Sequence, residues 1–131
     1  MYYIQTESTD EIINMQAHEG EGLIRRRHLF KAQTELPIHA EIWELDQGVS
    51  EGDHIHDNTD TSNGSLEEIY YFIEGEGSMT VDGEEITVQA GDAIMAPPGS
   101  NHGIRGTSSQ PLKFMIIWGP PAYRLFDHKY Y

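Results

Sequence analysis

From Leu23 onward the chain is written in short runs rich in Ile, Val, Tyr, Phe and Trp, each closed by a cluster of Gly, Pro, Asn or Asp. LIRRRHLFKA, PIHAEIWELD, GDHIH, EIYYFIEG, GSMTVDG, EEITVQAG, DAIMAPPG, HGIRG and PLKFMIIWG follow one another in this way. Many short strands separated by turn signals predict an all-β sandwich or small barrel. The sharpest local signal is Asp82-Gly83 between GSMT and EEITV, the chemistry of a tight hairpin turn. EIYYFIEG adds a constraint. Glu68, Tyr70 and Phe72 share one face of that strand and Ile69, Tyr71 and Ile73 the other, so both faces are largely apolar. KFMIIW at 113–118 behaves alike, which predicts that an arm or a second subunit covers the outer face, and hence a homodimer.

Residues 1–22 have a different texture: a weak helical period in DEIINMQAHEG followed by EGEG. They read as an N-terminal arm, with 23–131 as a single domain. At 131 residues the chain can bury a core without disulfides. It has no cysteine, so a metal here must be met by nitrogen and oxygen. No apolar stretch approaches the roughly 20 residues of a membrane span, and MYYIQTESTDEIINM lacks the basic start and apolar run of a signal peptide. The expectation is a soluble, cytoplasmic protein. Its formal charge of −14 repels phosphate backbones and anionic lipids, which argues against nucleic-acid and membrane partners.

Three histidines and a glutamate carry the chemistry. His54 and His56, one residue apart, put both imidazoles on one face of a strand while Ile55 points away. With Glu68 and His102 they make a nitrogen and oxygen donor set suited to one divalent ion of Zn, Fe, Ni, Mn or Cu, without choosing among them.

The spacing of these residues resembles the cupin superfamily. Gly48, five residues, then His54-x-His56, and later Glu68, six residues, then Gly75, resemble its first motif. Gly91, five residues, then Pro97-x-Gly99, two residues, then His102, resemble its second. The 15 residues between Gly75 and Gly91 resemble the short spacing of compact bacterial members. The resemblance implies a β-jelly-roll barrel, a double-stranded β-helix, with His54, His56, Glu68 and His102 at the family's ligand positions. Two features depart from the pattern. Eleven residues separate His56 from Glu68, where the family usually has far fewer. Asp60 inside them is the alternative carboxylate, but no strand like EIYYFIEG follows it. This loop, 57–67, is either a lid over substrate or a surface loop. The second departure is Gly106, where the motif often ends in Asn.

Outside the motifs, His39 shares a face with Glu41 and Trp43, and would contact substrate, support a ligand, or serve as a structural histidine. His18, His28 and His128 lack metal-like spacing and read as incidental. Arg25 and Arg27 point together, opposite Arg26. They either face the cavity, where a carboxylate substrate would suit them, or pair with surface acids. Tyr70, Phe72, Met95, Ile104, Trp43 and Phe114 are candidates for pocket lining or core. The aromatic tail, with Tyr123, Phe126, Tyr130 and Tyr131, is expected to pack on the barrel or a partner.

The leading functional reading is a small-molecule metalloenzyme: three histidines and a carboxylate leave up to two positions on a six-coordinate ion for substrate or dioxygen. The resemblance implies dioxygenase, isomerase, lyase or cyclase chemistry without choosing. Tyr70 and His39 are the candidate acid or base groups. The alternative is a binding or sensing module that holds a small ligand on the metal without turnover. A purely structural role for the ion is the weakest reading.

Overall fold

The computed structural model describes residues 1–57 and 64–121. Asp60 and most of the loop around it, His128, and the tail aromatics Tyr123, Phe126, Tyr130 and Tyr131 lie outside the described residues. Ten strands form: β1 (Ile13–Met15), β2 (Ile24–His28), β3 (His39–Leu45), β4 (Ser50–Ile55), β5 (Glu67–Glu74), β6 (Glu76–Val81), β7 (Glu84–Gln89), β8 (Ala93–Ala96), β9 (Asn101–Gly106) and β10 (Leu112–Gly119). They make two antiparallel sheets of the jelly-roll type, ordered β1-β2-β3-β10-β5-β8 and β4-β9-β6-β7. Every β-rich run singled out in the sequence forms a strand. Asp82 and Gly83 both take positive φ, 49° and 82°, between the paired residues Val81 and Glu84, as a two-residue hairpin of this hand requires.

The helical period in DEIINMQAHEG does not become a helix. Ile13–Met15 instead pairs with β2 in the register Ile13↔Arg26 and Met15↔Ile24, and Ala17 forms a bridge with Glu51. The reason is cooperative: so short a segment nucleates a helix poorly, whereas the free edge of β2 satisfies its backbone groups at once.

The register across β5, β10 and β3 sets up the interior. Phe72, Phe114 and Trp43 align across the three strands, Tyr70 aligns with Ile116 and Glu41, and Glu68 aligns with Trp118 and His39. Moving along the strands, the inward face passes from aromatic to charged. One end of the barrel is therefore an apolar plug, where Phe72, Phe114, Leu45, Met79 and Leu112 are fully buried. The other end is polar. Tyr70 and Phe72 each pack with ring centroids 5.5 Å from that of Phe114.

The N-terminal segment extends the sheet edge with β1 and also lies over part of the outer face of the larger sheet, where Asp10 meets Arg27 on β2 and Glu7 meets Lys113 on β10, but the outward side chains of β5 stay exposed. Ile69, Tyr71 and Ile73 are 43%, 45% and 38% exposed. Met95 also faces outward, so of the expected pocket-lining residues it alone is not inside.

Truncating Phe114 to Ala would remove the ring that both Tyr70 and Phe72 pack against, at an expected cost of about 3–5 kcal/mol. Urea unfolding of the variant and parent measures it.

Candidate metal centre

Three strands of the two sheets deliver the donor set. His54 lies near the end of β4, His56 just beyond it, His102 on β9 directly across from His54, and Glu68 near the start of β5 in the other sheet. His56, Glu68 and His102 are buried and the His54 side chain is 8% exposed, while Ile55 between the two histidines faces outward. One ligand atom from each of the four lies within 4.8 Å of the others. His102 Nε2 is 2.7 Å from Glu68 Oε2, and His56 Nε2 is 3.2 Å from Glu68 Oε1. Neighbouring donors around an octahedral ion with bonds of about 2.1 Å stand about 3 Å apart, so the spacing suits one ion.

Backbone carbonyls orient two of the rings. His54 Nδ1 donates to the Gly52 carbonyl at 2.8 Å, and His102 Nδ1 donates to the Ser100 carbonyl at 3.1 Å. A carbonyl can only accept, so each bond holds the proton on Nδ1 and turns Nε2 toward the centre. Behind Glu68 stands Tyr70, wholly buried, whose hydroxyl donates to Glu68 Oε2 at 2.6 Å.

Charge follows from burial and these bonds. Burial pushes the Glu68 carboxyl upward, but hydrogen bonds from His102, His56 and Tyr70 outweigh it and hold the group well below the usual carboxylate range. Burial lowers His54 to about 4, keeping it neutral. Tyr70 is pushed well above its ordinary value, first by burial and then by the charges of Glu51 and Glu68. Burial, with the nearby Glu68 carboxylate, likewise pushes Glu51 far up.

Glu51 escapes a sequence reading because it is three residues before His54 and by strict alternation should face outward. A β-bulge intervenes: three steps on β4, from Glu51 to His54, oppose two on β9, from Ile104 to His102. Both side chains therefore turn inward. Gly103 opposite the bulge permits this approach, since a Cβ there would collide with Asp53 Oδ1 and lie 3.0 Å from the Glu51 carbonyl oxygen.

The centre opens into a cavity of about 380 Å³. His56, Glu68, Glu51 and His18 line it at the metal side, and Arg26, His28, Lys31, His39, Glu41 and Trp118 line it farther out. His18 and His28, incidental by spacing alone, are both on the wall. His39 lies flat on Trp118, with ring centroids 4.1 Å apart. Tyr70 is not on the cavity wall. Of the arginine triplet, Arg26 is the inward one: it pairs with buried Glu41 at 2.7 Å and lies over the Trp43 ring. Arg25 forks onto Asp46 and Arg27 meets Asp10 at 2.6 Å, so these two pair with acids outside the cavity. Glu41 is held on its other side by the Trp118 indole N–H at 2.7 Å.

Comparison with known proteins agrees with this architecture. The family model described as Cupin domain matches residues 41–118. An oxalate-binding protein of Thermotoga maritima is 29% identical over 82% of this chain and 84% of its own length. An acireductone dioxygenase of Leptospira biflexa is 31% identical over 60% of this chain, and an uncharacterized protein of Methanocaldococcus jannaschii is 46% identical over 42%. The chain spans only 44% of the length of each of these last two. Among solved structures, a predicted oxalate decarboxylase of Thermotoga maritima superposes with a TM-score of 0.79 at 24% identity, covering 91% of this chain and all of that one. KdgF from Halomonas sp. superposes at 0.71 with 16% identity, covering 96% of this chain and all of that one.

A pH dependence follows for the metal-free protein. The folded state keeps His54 neutral down to about 4, whereas the unfolded chain takes up that proton near the ordinary 6.5. Between these values the unfolded state binds more protons, so the contribution of His54 is full above 6.5 and is lost as pH falls toward 4. Glu68, also held low, adds to the loss below its ordinary 4.5. Glu51, pushed up by burial, acts in the opposite direction, so the effect of His54 is read as a difference: in urea unfolding with a chelator present at pH 7, 5.5 and 4, the stability of the parent relative to His54→Asn should fall as pH falls.

Proposed function

The chain belongs to the cupin family, and on that premise we propose that it is a metal-dependent enzyme acting on a small oxygen-donor molecule at a site formed by His54, His56, Glu68 and His102. The observation that carries this reading is the convergence of three histidines and one low-lying carboxylate at the inner end of a 380 Å³ cavity. The fit of the donor set to a divalent transition metal rests on its chemistry: Nε2 atoms turned inward by backbone carbonyls, and a carboxylate already held in its ionised form. A bound ion would supply Lewis-acid polarisation of a ligand oxygen.

The residues of the chain divide the remaining work. Tyr70 positions the Glu68 carboxylate from behind. His39, on the wall against Trp118, presents its ring to the ligand. Arg26 and Lys31 line the same cavity, and with a divalent ion they outweigh the carboxylates of Glu41, Glu51 and Glu68, so the cavity favours an anionic ligand although the chain carries −14. Dioxygenase, isomerase, lyase and cyclase chemistries all suit such a site. The second reading is a binding or sensing module, favoured by the oxalate-binding relative, which aligns over most of this chain.

We also propose a homodimer across the outer face of the larger sheet. Ile69 stands beside Met95 on one side and Ile117 on the other, and Tyr71 beside Met115, so the exposed residues form a continuous apolar surface. A stable interface there would bury at least about 1,000 Å² in total.

Untagged protein should carry one transition-metal ion per chain by elemental analysis, and Glu68→Gln should abolish tight binding. Tyr70→Phe should keep the fold and weaken metal affinity by about 10- to 100-fold, the usual effect of losing a partner that orients a ligand. An aerobic and anaerobic screen of small acids, diketones and sugars separates the two readings: turnover supports the enzyme, and saturable binding without turnover supports the sensor.

Light scattering at micromolar concentration should give a dimer, and Tyr71→Arg a monomer. A monomeric parent would rule the interface out.

A further inference from the structure

Among the described residues nearly every basic side chain is paired with an acid: Arg25 with Asp46, Arg26 with Glu41, Arg27 with Asp10, Arg105 with Glu21 and Lys113 with Glu7. Lys31 is the exception. It has no ion pair or hydrogen bond among the described residues, although the chain carries 22 acids. It lines the cavity that ends at the metal centre. Together with His28 and His39 it also lines a second cavity of about 210 Å³, which Thr34, Leu36 and Ile38 complete. Lys31, His28 and His39 therefore stand where the two cavities meet.

These three side chains differ in what they have left to offer. Arg26 Nη2 donates to His28 Nε2 at 3.2 Å, so that nitrogen is taken. Burial, with the charges of Arg26 and Lys31, outweighs the attraction of Glu41 and holds His28 below its ordinary value, so its ring is neutral. His39 lies flat on Trp118, and neither of its ring nitrogens makes a hydrogen bond among the described residues. Lys31 thus brings an unpaired charge and His39 an uncommitted N–H. The backbone holds Lys31 in place. Phe30, just before it, takes a φ of 51°, uncommon for a bulky residue. Its N–H donates to Gln5 Oε1 at 2.7 Å, and its carbonyl accepts from the Gln33 and Thr34 N–H groups at 3.0 and 2.9 Å. Strain retained under such support is what a turn beside a ligand site carries.

We propose that Lys31 and His39 bind a carboxylate at the end of the ligand remote from the metal, so that the ligand is an acid with a metal-binding oxygen head and a second carboxylate several carbons away. The inference rests on the four-ligand reading above and narrows its ligand class. His39, Trp118 and Glu68 are successive neighbours across β3, β10 and β5, which sets the backbones of His39 and Glu68 two strand spacings, about 10 Å, apart. Oxalate, whose two carboxyls are bonded to each other, has none left for Lys31 once it chelates the ion. A longer diacid has. A single unpaired lysine matches one negative charge, which favours a carboxylate over a doubly charged phosphate.

The test uses the Zn(II)-loaded protein and probes that share a 2-hydroxy acid head: 2-hydroxyglutarate, 2-hydroxypentanoate and 3-phosphoglycerate. The first two have the same chain length and differ only in the terminal carboxylate. By isothermal titration the parent should bind 2-hydroxyglutarate at least about 5-fold more tightly than 2-hydroxypentanoate. Because Lys31 is exposed, the preference should shrink as salt is added. Lys31→Met should abolish the preference by weakening 2-hydroxyglutarate, Lys31→Arg should retain it, and His39→Phe, which can still stack on Trp118 but has no N–H, should reduce it. Zn(II) content of Lys31→Met should equal that of the parent. Equal affinity of the parent for the two acids, or a preference that survives Lys31→Met, would overturn the subsite while leaving the four-ligand centre standing. So would a Zn(II) protein that binds none of the probes. Tighter binding of 3-phosphoglycerate than of 2-hydroxyglutarate, lost in Lys31→Met, would overturn the carboxylate in favour of a phosphate. A parent that holds no Zn(II) would take down both readings.

Discussion

The site hangs on one carboxylate. Glu68 is buried in a low-dielectric interior, where an ionised carboxyl is costly, and it stays ionised because His102, His56 and the Tyr70 hydroxyl all direct hydrogen-bonding groups at it. Those partners come from both sheets. Tyr70 and Glu68 belong to the six-stranded sheet, His102 to the four-stranded one, so the same contacts that set the charge also clamp the two layers of the barrel at its open end. At the other end the layers are held by apolar packing of Phe72, Phe114, Leu112 and Met79. The fold is closed by oil at one pole and by a polar network at the other.

This division explains how a binding cavity survives inside so small a barrel. Inward positions along β3, β10 and β5 change character within two or three residue pairs, from Trp43, Phe114 and Phe72 to His39, Trp118 and Glu68. Each polar residue past the change has a partner: Glu41 takes Arg26 and the Trp118 indole, His39 lies on the Trp118 ring, and Arg26 covers Trp43. A wall built this way is polar without being loose, which suits a ligand held in one orientation.

Much of that wall lies outside the part of the chain that matches the family. His18, Arg26, His28, Lys31 and His39 all precede residue 41, where the family match begins, yet all line the cavity. The four-residue donor set lies within the part of the chain that matches the family, and much of the cavity wall is carried by the N-terminal part of the chain. A wall outside the matched part can vary independently of the donor set.

Local chemistry was enough to read the strands, the Asp82-Gly83 hairpin and the four-residue donor set, because period-two alternation and turn residues act over a few positions. The pairing of His54 with His56 and the buried strand beginning at Glu68 needed nothing more distant. What stayed hidden depended on which strand lies beside which. The helical texture of DEIINMQAHEG gave way to strand pairing because the free edge of β2 was available, a fact no window of sequence contains. Arg26 could be separated from Arg25 and Arg27 by alternation, but which face was inside was settled only when β2 paired with β3 and set Arg26 beside Trp43. Glu51 stays hidden for the opposite reason: alternation from His54 would turn it outward, but a bulge in β4, opposite Gly103 of β9, breaks the alternation. Sequence by itself determined what each segment would form and which residues were equipped for a metal; the tertiary structure alone decided which faces turned inward, since facing is a property of pairs of strands and is absent from any one of them.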